Sequence, residues 1–176
     1  MKKIFIISTL VLLLFGCESK KKDNSVAILA LALGSNSQSS GTRITDSQLY
    51  AESVATSLQL FPTTPSTPFN SNLPNQAHGT SILMKLNSTA RSSIDATTKT
   101  VIGGSFAENS LIVKERYSAG KLIQIISMKK SKSAVSTWFW GEYSPTGSIE
   151  YSVNNNGSGC TGCHLSGKDY VRILEY

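Results

Sequence analysis

Between about residue 79 and residue 153, apolar and polar residues alternate in short blocks separated by turn-forming residues. Runs 81–86, 110–117, 122–129, 135–143 and 148–153 are rich in β-branched and aromatic residues. Gly103-Gly104, Ala119-Gly120, Lys130-Ser131 and Pro145-Thr146-Gly147 punctuate them. In the second run Leu111, Val113 and Tyr117 share one face, Lys114 and Arg116 take the other, and Glu115 falls within the apolar set. Connections this short favour an antiparallel meander over βαβ crossovers. Upstream the period becomes helical. Thr45-Asp46-Ser47-Gln48 reads as a capping box, and Ala51, Val54, Ala55 and Leu58 recur at i, i+3, i+4 and i+7, predicting one amphipathic helix that ends near Leu60. Pro62, Pro65, Pro68 and Pro74 mark an irregular connection. The expectation is a mainly β fold with minor α (α+β): an antiparallel sheet with one amphipathic helix near its start.

The amino terminus follows a different pattern. Lys2-Lys3 precedes an apolar run, 4–15, too short for a comfortable membrane span. It ends Leu14-Phe15-Gly16-Cys17, which resembles a bacterial lipobox with Phe15 bulkier than usual at its position. In that motif the chain is cut before the cysteine, whose thiol takes a diacylglycerol; the alternative is an ordinary signal peptide cut nearby. The chain then divides into a lipoprotein signal peptide (1–16), a lipidated tether and linker (17–44) and a folded domain (45–176). It is expected to be exported and lipid-anchored to a bacterial membrane, on the periplasmic or the outer surface. A second apolar run, 26–33, is too short to span a bilayer and is either a membrane-resting segment or a subunit contact, the latter implying a homodimer. Residues 34–41 read as a flexible spacer.

Charge changes this picture little. Removing Lys2 and Lys3 lowers the formal charge from +6 to +4. Lys20-Lys21-Lys22, beside the anchor, would attract anionic headgroups or simply solvate the tether. The other basic residues are scattered with no aromatic-basic stripe, which argues against nucleic acid as a partner.

The chemistry is concentrated late in the chain. Cys160-Thr161-Gly162-Cys163-His164 is the Cys-x-x-Cys-His spacing in which two thiols add across the haem vinyl groups and the next residue brings an imidazole to the iron. A thioredoxin-like redox pair would open a helix near the start of a domain, and a zinc site would need four ligands at finger-like spacing. With Cys17 lipidated and Cys160 and Cys163 holding one covalent haem c, no odd thiol remains. His164 is then the metal ligand. No Met follows it, unlike the helical electron-transfer cytochromes, and one helix is too few for a four-helix cytochrome. His78 is either a second iron ligand or a surface or hydrogen-bonding residue. Glu115 either relays protons near the haem or pairs structurally with Lys114 or Arg116. Met84 and Met128 read as core fillers; Phe106, Trp138, Phe139 and Trp140 are expected to pack the haem and the core.

A β domain closing with this motif and then Lys168-Asp169-Tyr170-Val171 resembles the cytochrome P460 family, which includes the β-type cytochromes c′. Further matches are Ser110-Leu111-Ile112-Val113-Lys114-Glu115, Ser127-Met128-Lys129-Lys130, Trp138-Phe139-Trp140-Gly141, His78-Gly79 and Leu86-Asn87-Ser88-Thr89-Ala90, so that the likeness spans residues 78–176. The family's Trp-Pro-Asp-Gly lead-in is replaced by Val101 to Asn109, and two glycines of its aromatic stretch are missing. The resemblance implies a five-coordinate iron that binds a small ligand such as NO or exchanges electrons with a redox partner protein. Enzymatic members carry a lysine bonded to the porphyrin. If Lys85 filled that role, rather than facing solvent from its strand, the implied activity would be a P460-type oxidoreductase acting on hydroxylamine or a related small nitrogen compound. A third possibility is a haem-free surface lipoprotein.

Overall fold

The alternation in the sequence is realised as a sheet with two differently used faces. The structure, a computed structural model, describes residues 43–61, 69–70, 77–79 and 81–172, which belong to one compact unit, Ser39–Tyr176. Its strands are β1 (Gln59–Leu60), β2 (Phe69–Asn70), β3 (Ser81–Leu86), β4 (Leu111–Ser118), β5 (Lys121–Lys130), β6 (Trp138–Tyr143) and β7 (Ile149–Tyr151). They pair antiparallel in the order β1-β3-β4-β5-β6-β7, with the two-residue β2 also lying along β3. The fold is thus mainly β with minor α. The β4–β5 hairpin turns through Ala119 and Gly120, both at positive φ, the two-residue geometry whose twist suits a hairpin.

One face gathers Ile82, Met84, Leu86, Ile112, Met128, Trp138 and Trp140. The other gathers Leu111, Val113, Ile125, Phe139 and Tyr143 under helix α1 (Asp46–Ser53), which buries Leu49 completely. Phe139, expected beside the other aromatic residues of β6, therefore packs on the α1 face, because successive strand residues point to opposite sides.

The capping box at the start of α1 is formed: Gln48 N–H donates to the Thr45 hydroxyl, and the Gln48 side chain accepts from the Thr45 backbone. The helix ends at Ser53 and does not run on towards Leu60. Val54 is its C-cap, and Gln59 and Leu60 pair with Leu86 and Lys85 of β3, satisfying backbone groups along that edge. A short helix that the sequence pattern did not indicate, α2 (Ser88–Ser92), is capped by Asn87, whose side-chain oxygen accepts from the N–H groups of Ala90 and Leu111. β6 begins at Trp138 and not at 135; Val135 is exposed and Thr137 turns the chain at φ 61.

Candidate functional site

The Cys-x-x-Cys-His residues form a single helical turn, α3 (Thr161–His164), with Cys160 at its N-cap. The approach to it uses Asn156, Gly157 and Gly159 at φ 54, 76 and 85. Gly157 is needed for more than its φ, since a Cβ there would sit 2.7 Å from the Trp140 indole. This loop is tied down at several points. Arg43 donates to the Val153 carbonyl at 3.0 Å and to the Asn156 side-chain oxygen at 2.6 Å. The Asp46 carboxylate accepts from the Val153 N–H at 2.9 Å and the Ser152 hydroxyl at 2.7 Å, and the Tyr151 hydroxyl donates to the Ser158 carbonyl at 2.7 Å.

Cys160 and Cys163 are both free thiols, the first half-buried and the second exposed. Burial, with Glu142 and Cys163 adding to it, pushes the Cys160 thiol up against an opposing hydrogen bond from Tyr151. The ring of His164 stands edge-on to Trp140, centroids 4.7 Å apart, and its Nδ1 lies 2.8 Å from the Tyr170 carbonyl. A carbonyl can only accept, so Nδ1 carries a proton in this hydrogen bond, and Nε2 is the nitrogen through which the ring would bind a metal. Trp140 is held by donating its indole N–H to Ser136 at 2.9 Å.

His164 borders a small, largely apolar cavity of about 40 Å³ walled by Met84, Ile112, Ile126, Met128, Trp140 and Val171, with Lys114 and Arg172 among its polar lining. An adjoining, more open hollow of about 320 Å³ carries Arg116, Gln124, Glu142, Tyr151 and both cysteines. His78 lines both, its ring centroid 6.4 Å from that of His164. Burial first, then the positive charge of Lys114, hold His78 down to about 4, so it is neutral near pH 7. Its 3.8 Å approach to Glu142 is accordingly not an ion pair. Burial and the neighbouring Glu150 raise the Glu142 carboxyl above its ordinary range, opposed by Arg116.

The structure brings Cys160, Cys163, His164 and His78 together. It does not bring Lys85 or Glu115 to them. Lys85 and Glu115 alternate with Met84 and Lys114, which line the cavity, and so lie on the α1 face, where Lys85 pairs with Glu115 at 2.5 Å and Tyr117 donates to Glu115 at 3.0 Å. Glu115 thus pairs with Lys85 and with neither Lys114 nor Arg116. The lysine at the cavity is Lys114, already on the opposite face from Val113 in the sequence alternation. Glu142, two residues beyond Trp140, was open to the same reasoning. Cys17 and the lipobox lie outside the described residues.

Two thiols one helical turn apart, an imidazole in the following position, an apolar hollow and basic side chains at its rim form a donor set that suits a covalently held haem, including its propionates. Among the described residues no three His, Cys, Asp or Glu side chains gather as a site for a bare metal ion. No protein-family model matches this chain, and no curated protein matches it.

Proposed function

We propose that this chain is an exported, lipid-anchored, mono-haem c-type cytochrome of the cytochrome P460 type. Cys160 and Cys163 hold the haem, His164 is its protein ligand to iron, and the remaining coordination position takes a small molecule such as NO. The observation that carries this reading is the meeting of Cys160, Cys163 and His164 on one turn beside an apolar cavity, with the His164 Nδ1–H engaged by a carbonyl. Bound there, haem supplies the one-electron couple and the affinity for diatomic molecules. The chain's own residues do the rest. Trp140 and Val171 exclude water beside His164, Met84, Ile112 and Met128 give the cavity an apolar wall, and Lys114, Arg116 and Arg172 supply positive charge for carboxylates. Cys17 carries the lipid.

The test is a denaturing gel of protein made with a cytochrome c maturation system. Peroxidase stain should persist at the mature mass and vanish when Cys160→Ser is combined with Cys163→Ser. A wild type without stain overturns the reading and leaves a haem-free surface lipoprotein.

Two observations favour other uses of the same haem. Lys114 lines the cavity, and a cross-link from it to the porphyrin would meet the requirement of an oxidoreductase acting on hydroxylamine; a red-shifted ferrous Soret band would select that activity. His78 lines the same hollow as His164, with ring centroids 6.4 Å apart, and is the residue that would supply a second imidazole to the iron. A low-spin ferric spectrum that turns high-spin in His78→Ala would select an electron carrier.

A further inference from the structure

We propose that Asp169 is a positioning residue for His164: its buried ion pair with Lys130 holds a left-handed turn whose Tyr170 carbonyl fixes the tautomer and orientation of the His164 ring. The inference rests on His164 being the iron ligand and adds the device that aims it.

Residues 168–171 close a tight turn, the Val171 N–H donating to the Lys168 carbonyl at 2.8 Å while the two residues face each other as an antiparallel bridge. The central residues, Asp169 and Tyr170, have φ 51 and 64. Positive φ at both centres is the type I′ geometry that Asn and Gly favour and that a tyrosine resists. Such backbone persists where its surroundings over-determine it, and it concentrates at functional sites.

Here the surroundings do so through one carboxylate. Asp169 accepts the Phe106 N–H at 2.8 Å and the Ser105 hydroxyl at 3.0 Å on one oxygen, and the Lys130 ammonium at 2.6 Å on the other. The Lys130 and Asp169 side chains are only 11% and 10% exposed. Lys130 comes from the end of β5, lies 5.2 Å from the Trp138 ring centroid and donates to the Thr137 hydroxyl at 3.1 Å. Gly167 completes the packing, for a Cβ there would meet the Val171 carbonyl oxygen at 2.5 Å. The turn is therefore bolted to the sheet, and its backbone presents the Tyr170 carbonyl to His164 Nδ1 at 2.8 Å. A hydrogen bond at that nitrogen orients a ligating imidazole and raises the basicity of the other nitrogen. Asp169 exerts this control through the backbone, since its own oxygens are taken by Lys130, Ser105 and Phe106.

The experiment compares wild type with Asp169→Ala, Asp169→Asn and Lys130→Met. In each, the His164 tautomer is read by nitrogen-15 NMR on the chain made without haem, and the iron–histidine stretch and reduction potential on haem-loaded protein. Wild type should hold the Nδ1–H form. In Asp169→Ala and Lys130→Met the ratio of Nδ1–H to Nε2–H forms should fall roughly three- to tenfold, the weight of one ordinary hydrogen bond. Their iron–histidine stretch should drop and their potential rise, because a less basic imidazole favours ferric iron less. Asn tolerates the left-handed conformation and keeps an acceptor, so Asp169→Asn should fall between. If Asp169→Ala does not fold, Asp169→Asn and Lys130→Met carry the same comparison. An Nε2–H wild type, or folded variants with unchanged tautomer and stretch, overturns the proposal. A wild type that takes no haem yet shows the Nδ1–H form, lost in Asp169→Ala, overturns the haem reading and supports the clasp.

Discussion

Lys85 and Glu115 meet at 2.5 Å on the α1 face of the sheet, with β3 and β4 themselves between the pair and His164. Glu115 is 9% exposed and Lys85 29%. Glu115→Gln should therefore leave haem retention and the resting spectrum as in wild type. Lys85→Met strands a mostly buried carboxylate and should cost about 1–3 kcal/mol in urea unfolding, discounted for the exposure of Lys85. Lys85→Met combined with Glu115→Gln should recover part of that loss. A changed spectrum in Glu115→Gln would contradict this placement.

Gly157→Ala combines a strained φ of 76 with a Cβ 2.7 Å from the Trp140 indole, whereas Gly159→Ala at φ 85 meets nothing within 4 Å. The second should cost about 1 kcal/mol from backbone strain alone. The first should cost more and, by moving Trp140 off His164, lower the fraction of chains that acquire haem. Thermal melts and haem-to-protein ratios read the two effects. Equal losses at both positions would remove the close-approach argument.

Glu142 gives a pH dependence of defined sign. Its carboxyl is raised in the folded chain by burial and by Glu150, so the fold binds that proton more tightly than the unfolded chain does. The ionised form is therefore a destabilising burden at neutral pH, one that lifts as pH falls through the raised folded value towards the ordinary carboxylate range. Glu142→Gln should melt higher than wild type at pH 7, with the advantage shrinking on acidification. A constant difference across that range would rule the account out.

Cys17 as the anchor predicts that the protein partitions into detergent and that Cys17→Ala accumulates as an uncleaved precursor. Edman or mass analysis showing a soluble wild type cut at another bond would remove the lipid.

The long strands were legible because their alternation is regular. The span 81–86 coincides with β3, and β4 and β5 differ from their expected spans by one residue at each end. Short elements were not. β1 and β2 are two residues each, made strands by their partner β3 and not by any pattern of their own. The capping box was readable as local chemistry. The end of α1 was not, because the apolar period continues through Leu58 while the backbone leaves to pair with β3. At the site, the grouping of Cys160, Cys163 and His164 follows from adjacency in sequence. The arrival of His78 depends on the fold, as does the departure of Lys85 and Glu115 to the far face, which only correct strand phasing would reveal.

The loop that carries Gly157 is fastened by Arg43 and Asp46, more than a hundred residues earlier in the chain. Contacts of that separation close late, because the entropy of joining distant segments must be met before they repay it. As the polypeptide emerges, Arg43 and Asp46 must wait for the stretch around Val153 and Asn156 before their bonds can form. The cysteines follow only a few residues behind. The clamp and the Cys-x-x-Cys-His turn that it steadies therefore become complete at nearly the same point of synthesis.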